Sequence, residues 1–303
     1  MTVAEGRTGE SAGSNAPHEG AAEVAAIARA GEPDRHLAAL LAPEPQREAL
    51  LALAALAAEL ARIPHRAVRE PFMGEIRLQW WRTALGLGEG GEGGADSGGH
   101  AVAEAMRSAV RSYNLPAALL DDMIGAHALE LRAAPFEDDA ALSGFLDRTE
   151  GALFALACRV VGVGARPQIE SACAAAGRAY GLARLMLRLP RTLALGRVPL
   201  AQTQIAAAGL SPHELLAGTD SGAAGEALIN ACFAQIRGNL AEARSLVRDL
   251  PRRERVAFLP LALVRPYLRL LERQGGGALR EEVQIVPLAR AWAVAVAHML
   301  GRL

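Results

Sequence analysis

The 303-residue sequence has no lysine; all thirty-two of its basic side chains are arginine. Schiff-base chemistry and a phosphate-binding P-loop each need a lysine amine, so both are excluded. GC-rich coding is enough to account for the bias. Aromatic residues are also scarce, at 4%, while hydrophobic residues reach 51%. The interior must therefore be built from Leu, Ala and Val. Ala and Leu have the best helix propensities and the residues that suit strands are few, which predicts an all-α fold.

Other absences narrow the class. Three cysteines, Cys158, Cys173 and Cys232, stand far apart in apolar surroundings. They read as buried reduced thiols of a cytosolic protein rather than a disulfide framework or a metal site. A formal net charge of −1 gives no argument for a nucleic-acid partner. In the first thirty residues the only apolar run, 21–30, is short and Ala-rich, and Glu5, Glu10 and Glu19 stand nearby. That is neither a secretory signal nor a membrane span. There is no G-x-S-x-G and no Cys beside a His. His36, His65, His100, His127, His213 and His298 are isolated from other ligand types, which speaks against zinc.

What remains is a series of amphipathic segments. Residues 1 to about 31, rich in Gly, Ser, Ala and Glu, are expected to form a disordered tail with helical potential from Ala21. The folded domain is expected over 32–303. Asp34 is placed to cap a helix through HLAALLA. A second helix should run from Gln46 to about Ile63, with Leu50, Leu53, Leu56 and Leu60 on one face and Pro64 as its stop. A third, starting near Glu70, places Met73, Ile76, Leu78, Trp80, Trp81 and Leu85 in or beside the core. Residues 86–100 read as a flexible Gly-rich loop whose glycines, scattered among acids, cradle no phosphate. Further helices are expected over 101–112, 116–132, 139–161, 167–189, 223–250, 252–273 and 285–303, with a short one from Ser211 and Pro212. About ten helices with short loops make a single-domain bundle around a central cavity.

Few clusters could carry chemistry. Asp121 and Asp122 are neighbours on one helix, and adjacent helical residues point about 100° apart, too far to share a metal as an i, i+4 pair would. Glu137, Asp138 and Asp139 sit at a helix start, where acids cap the end and complement its dipole. Residues 177–201, GRAYGLARLMLRLPRTLALGRVPLA, form a buried helix with Leu182, Leu185, Met186 and Leu189 at helical spacing, ended by Pro190. Arg178, Arg184, Arg188, Arg191 and Arg197 lie in it, with no acid between Glu170 and Glu214. These arginines could bind an anionic head group while a Leu-rich interior holds an apolar tail. The favoured alternative is that they reach solvent or pair with acids on neighbouring helices.

Three segments together resemble the squalene/phytoene synthase family. They are PDRHLAALLAPEPQREALLALAALAAELARI (33–63), GEIRLQWWRTAL (74–85) and the basic stretch 177–201. The resemblance covers about residues 30–300 and implies the all-α isoprenoid synthase fold. Active members condense two prenyl diphosphates and hold Mg²⁺ between aspartates at i, i+4 on two facing helices. The ions neutralise the leaving pyrophosphate. Aligned on Gly196 and Arg197, the second aspartate motif falls on Arg188 and Thr192. The first falls near Ala61, Arg62 and His65, where Glu59 is the nearest carboxylate, and Pro199 replaces the family's Tyr. An arginine there reverses the sign of the site: at 4 Å and an effective dielectric of 20, two unit charges interact by about 4 kcal/mol. The resemblance thus implies no catalytic residue and no resident metal.

Arg77, Gln79, Trp80, Trp81 and Arg82 keep the RLQWWR pattern while the aspartates are gone. This combination resembles the family's non-catalytic branch, which includes an assembly factor of respiratory complex I. On the residues alone, Trp80 and Trp81 are core or interface positions. The branch implies an assembly or scaffold protein in the cytoplasm or peripheral to the inner membrane, with protein partners from complex I (NADH dehydrogenase) assembly and no nucleic-acid partner. Two alternatives stay open. One is a divergent prenyltransferase with Mg²⁺; the other binds an isoprenoid diphosphate or lipid without turnover.

Overall fold

Helix formation follows the periodic leucines and alanines from end to end of the computed structural model, which describes residues 16–67, 70–87, 99–218 and 222–303. In chain order the α-helices are α1 (Ala16–Gly31), α2 (Pro33–Leu40), α3 (Gln46–Arg66), α4 (Pro71–Ala84), α5 (Ala101–Tyr113), α6 (Ala117–Ala126), α7 (Asp139–Leu146) and α8 (Ala152–Val160). They continue with α9 (Pro167–Ala194), α10 (Gln202–Ala207), α11 (Pro212–Ala217), α12 (Ala223–Leu246), α13 (Val264–Gln274) and α14 (Pro287–Leu300). A π-turn at Asp147–Gly151 joins α7 to α8, and 3-10 segments occupy His127–Leu131, Glu254–Leu263 and Gly275–Leu279. Among the described residues the only extended pairing is one bridge between Phe136 and Ala201. The all-α expectation holds.

Helix α9 is the axis of the bundle and packs against α12, α8, α13 and the π-turn. Two glycines set its closest approach. A Cβ on Gly177 would overlap the backbone of Gly151, and one on Gly181 would press on Leu146 and Glu150. Their absence lets the π-turn lie directly on α9, which brings the Glu150 side chain within reach of Arg184 one turn further along. Phe154, buried on α8, stacks on Phe258 at 5.7 Å and meets Tyr180 edge-on at 5.9 Å, tying α8, α9 and the 254–263 segment into one core.

Several local expectations change. The tail expected over residues 1 to about 31 is helical from Ala16: α1 buries Val24 and Ala28 against α3, and a Cβ on Gly31 would overlap Ala58. Residues 1–15 and most of the 86–100 loop lie outside the described residues. Pro64 and Pro190 do not end their helices. Pro64 stands two residues from the end of α3 and Pro190 four from the end of α9, so each removes a backbone bond only where the helix is about to stop. Asp34 caps nothing; it is buried in the first turn of α2, and Glu32 holds the N-cap position. On α4 and at its C-cap, Leu78, Trp81 and Leu85 are buried and Trp80 half-buried as expected, but Met73 and Ile76 are exposed beside Phe72.

Candidate functional site

The site is a cavity of about 130 Å³ between α3 and α9, closed by the loop after α9 and the segment after α6. Leu129, Phe136, Phe145, Leu146, Leu153, Leu185 and Val198 give it apolar walls. A wider mouth of about 650 Å³ adjoins it, carrying Arg62, Arg66, Arg191 and Arg290. Ala61, His65, Arg184 and Arg188 line both spaces. On α3, Ala61 and His65 are one turn apart; on α9, Arg184, Arg188 and Thr192 stand at successive turns. Of the positions picked out as degenerate motif sites, Ala61, His65, Arg188 and Thr192 line one cavity from two helices, while Arg62 lies only in the mouth.

Most of the five arginines find partners. Arg178 holds Asp147 with two hydrogen bonds, of 2.8 and 3.0 Å, on the outer side of α9. Those bonds raise its pKa. Arg197 is buried and donates to the Pro64 carbonyl at 2.8 Å, which fastens the loop after Gly196 to the end of α3. Arg191 is exposed at the mouth. Arg62 pairs with Glu59 at 2.6 Å. Arg184 is buried and donates to Glu32 at 2.8 Å through Nη1, to Glu150 at 3.0 Å, and again to Glu32 through Nη2. The acids absent from 171–213 are supplied from elsewhere in the chain.

Arg184 belongs to a buried network whose other members the sequence did not reveal as site residues. Glu150 accepts from Arg35 at 2.5 Å, and Arg35 also lies over the Phe154 and Tyr180 rings. Asp34 accepts from the Tyr180 hydroxyl at 2.8 Å and from the Tyr267 hydroxyl, and meets Arg290 at 2.9 Å. Burial works to raise the Glu150 carboxyl, but Arg184 and Arg35 outweigh it and hold the pKa down to about 2. Burial likewise opposes the Arg184 charge, and Glu32, Tyr180 and Glu150 more than restore it. Three carboxylates, Glu32, Asp34 and Glu150, thus face three guanidinium groups, Arg35, Arg184 and Arg290. The cluster is neutral. The one available signal was the adjacent Asp34-Arg35 pair, placed in the opening helix.

Arg188 stands apart. Its guanidinium has no hydrogen-bond or ion-pair partner among the described residues, and Arg184, followed by burial, lowers its pKa. His65 opposite it is held below its usual value by burial and then by Arg191 and Arg188. Its Nδ1 is buried without a hydrogen-bond partner among the described residues. The Thr192 hydroxyl is turned back to the Arg188 carbonyl at 3.0 Å.

These residues do not fit magnesium. Mg²⁺ takes oxygen ligands, usually with one or two free carboxylates. Ala61, His65, Arg188 and Thr192 offer none. Among the carboxylates lining the cavity, Glu32 and Glu150 are held by arginine and Glu130 lies 2.5 Å from His127. Among the described residues no group of three or more His, Cys, Asp or Glu could hold a metal.

The RLQWWR residues lie away from the cavity. Trp81 is buried and meets Trp80 edge-on at 5.0 Å. Arg82 ties α4 to α6 through Asp121 at 2.7 Å, while Arg77 and Gln79 are exposed. Asp122 approaches Arg148 at 3.5 Å, and Asp138 caps α7 by accepting from the Ala141 amide at 2.8 Å. The three cysteines are free and buried.

An all-α bundle closed around a cavity between two such helices is the isoprenoid synthase architecture. Residues 28–289 match the squalene/phytoene synthase family, and the chain belongs to that family. No curated protein sequence matches it. Among solved structures it resembles a dehydrosqualene synthase in complex with ligand, with a TM-score of 0.78 at 16% identity over 94% of this chain and 96% of that one. Squalene synthase HpnC from Alicyclobacillus acidocaldarius gives 0.67 at 16% identity over 85% and 94%. YisP from Bacillus subtilis subsp. subtilis strain 168 gives 0.68 at 15% identity over 93% and 97%. At these identities the likeness is one of fold.

Proposed function

We propose that this chain is a non-catalytic member of the squalene/phytoene synthase family that acts as an assembly or scaffold factor for respiratory complex I. The observation that carries the loss of catalysis is the facing of Ala61 and His65 by Arg188 and Thr192, with every lining carboxylate already paired. A metal-assisted ionisation of a diphosphate has no ligand set to work with here. The complex I role rests on the resemblance of residues 74–85 to the non-catalytic branch. An exposed apolar face on α4, made by Phe72, Met73 and Ile76, suits a protein contact.

Two experiments test it. Two of the neighbouring structures are of enzymes named as synthases, so purified protein should be incubated with farnesyl or geranylgeranyl diphosphate and Mg²⁺. No pyrophosphate release is expected, and a C30 or C40 product would establish a prenyltransferase instead. Deleting the gene in a respiring host should lower assembled complex I; unchanged assembly and NADH dehydrogenase activity would remove the scaffold role. A second reading is favoured by Arg188, an unpartnered cation at the junction of a basic mouth and an apolar cavity. The site suits an isoprenoid diphosphate or anionic lipid held without metal and without turnover.

A further inference from the structure

We infer that the outward face of α14 docks on an anionic lipid bilayer. Among the described residues, five of the ten exposed large hydrophobic side chains fall between Val286 and Leu300. Leu288 and Trp292, exposed by 78% and 67%, and Met299 share one face at i, i+4 and i+11, opposite the buried Val294 and Ala297. At 1.5 Å per residue the stripe runs for about 17 Å. No helix among the described residues is long and apolar enough to cross a membrane. A helix lying flat in the interface is the geometry left for this face.

Charge favours a bilayer over a protein partner. From Val283 to Leu303 there is no acid, the exposed Glu281 and Glu282 standing just before this stretch. At the C-terminal end of α14, exposed Arg252, Arg253 and Arg302 gather: a Cβ on Gly301 would lie 3.3 Å from Arg252 Nε, and Arg255 donates to the Gly301 carbonyl. The exposed Asp249 nearby already has Arg248 at 3.8 Å. A central Trp with arginines at the rim is the pattern of an interfacial helix. The face is also distinct from the lining of the mouth: Arg290, two residues after Leu288 and so about 200° around the helix, lies on the inner side of α14 and meets buried Asp34 at 2.9 Å.

The test uses the full chain with vesicles of phosphatidylcholine alone or mixed with phosphatidylglycerol. Sedimentation with the anionic vesicles and a blue shift of tryptophan emission are expected. Trp292→Phe should bind and lose the shift, because Trp81 is buried and Trp80 half-buried. Leu288→Glu with Met299→Glu should abolish binding; if that pair disturbs folding by circular dichroism, Leu288→Ser with Met299→Ser serves. Each of Arg252→Gln, Arg253→Gln and Arg302→Gln should weaken binding roughly fivefold. Absence of sedimentation, equal binding to neutral vesicles, or unchanged binding by the Glu pair would overturn the proposal. So would a dimer that the Glu pair dissociates in a chain that ignores vesicles, since the face would then cover a second copy.

Discussion

Arg184 Nη1 lies 2.8 Å from Glu32 Oε2, a hydrogen bond between residues 152 apart in sequence, and both side chains are buried. Removing one partner of such a pair strands the other charge in the interior, at a cost of about 3–5 kcal/mol. Arg184→Ala should therefore lower stability by that order in denaturant unfolding. Arg188→Ala should cost much less, because no partner loses a bond. Equal losses for the two variants would show that Arg184 does not hold the bundle together.

Glu150 gives the same network a pH dependence. Its folded pKa, about 2, lies below the ordinary 4.5, so its contribution is fully present above pH 4.5 and is lost as pH falls toward 2. A shift of this size corresponds to about 3 kcal/mol. Unfolding free energy of the wild type should drop across that window, and Glu150→Gln should remove this part of the slope. Parallel acid limbs in the two proteins would contradict it.

The fold was largely legible and the site only half so, for reasons that particular residues make plain. Leucine spacing located α3 and α9 because burial of one face is a local pattern. It could not place their ends, since Pro64 and Pro190 read as breakers yet sit where a lost bond matters little. The cavity-lining positions Ala61, His65, Arg188 and Thr192 came from the family resemblance. The charge balance around them did not: the stretch from 171 to 213 holds no acid, and Glu32 and Glu150 reach Arg184 only through tertiary packing. Exposure of Met73 and Ile76 was likewise invisible, because an apolar residue on an outer face has the same sequence signal as one on an inner face.

Gly177 is where two backbones meet, and its missing side chain is a packing requirement. A Cβ there would overlap Gly151 N and Cα, which are backbone atoms and cannot turn aside. Gly177→Ala should destabilise by about 1–3 kcal/mol as an overpacked core position does. It would also push the π-turn away from α9 and weaken the Glu150–Arg184 bond. Thermal unfolding of this variant beside Gly238→Ala, where a Cβ meets nothing within 4 Å, separates the clash from ordinary helix propensity. A Gly177→Ala protein as stable as the wild type would mean that the two segments can part without loss.

Arg188 and His65 report on each other across the cavity. After burial, Arg191 and Arg188 are the largest causes holding the His65 pKa below its ordinary value. Removing the Arg188 charge should raise it, and so should an anion bound between them, because either change makes the imidazolium easier to form. The measurement is an NMR titration of the histidine ring resonances, with His65→Gln assigning the signal. Arg188→Ala should move the titration to higher pH. Geranyl diphosphate without added metal should move it upward in the wild type and leave it unmoved in Arg188→Ala, while affinity falls about tenfold or more for the loss of a charged hydrogen bond. Inorganic diphosphate alone should act in the same direction with weaker affinity, since the apolar chamber beyond His65 then stays unused. A His65 titration that ignores both Arg188 and ligand would mean that the guanidinium points out of the cavity in solution, and the metal-free anion site would have to be abandoned.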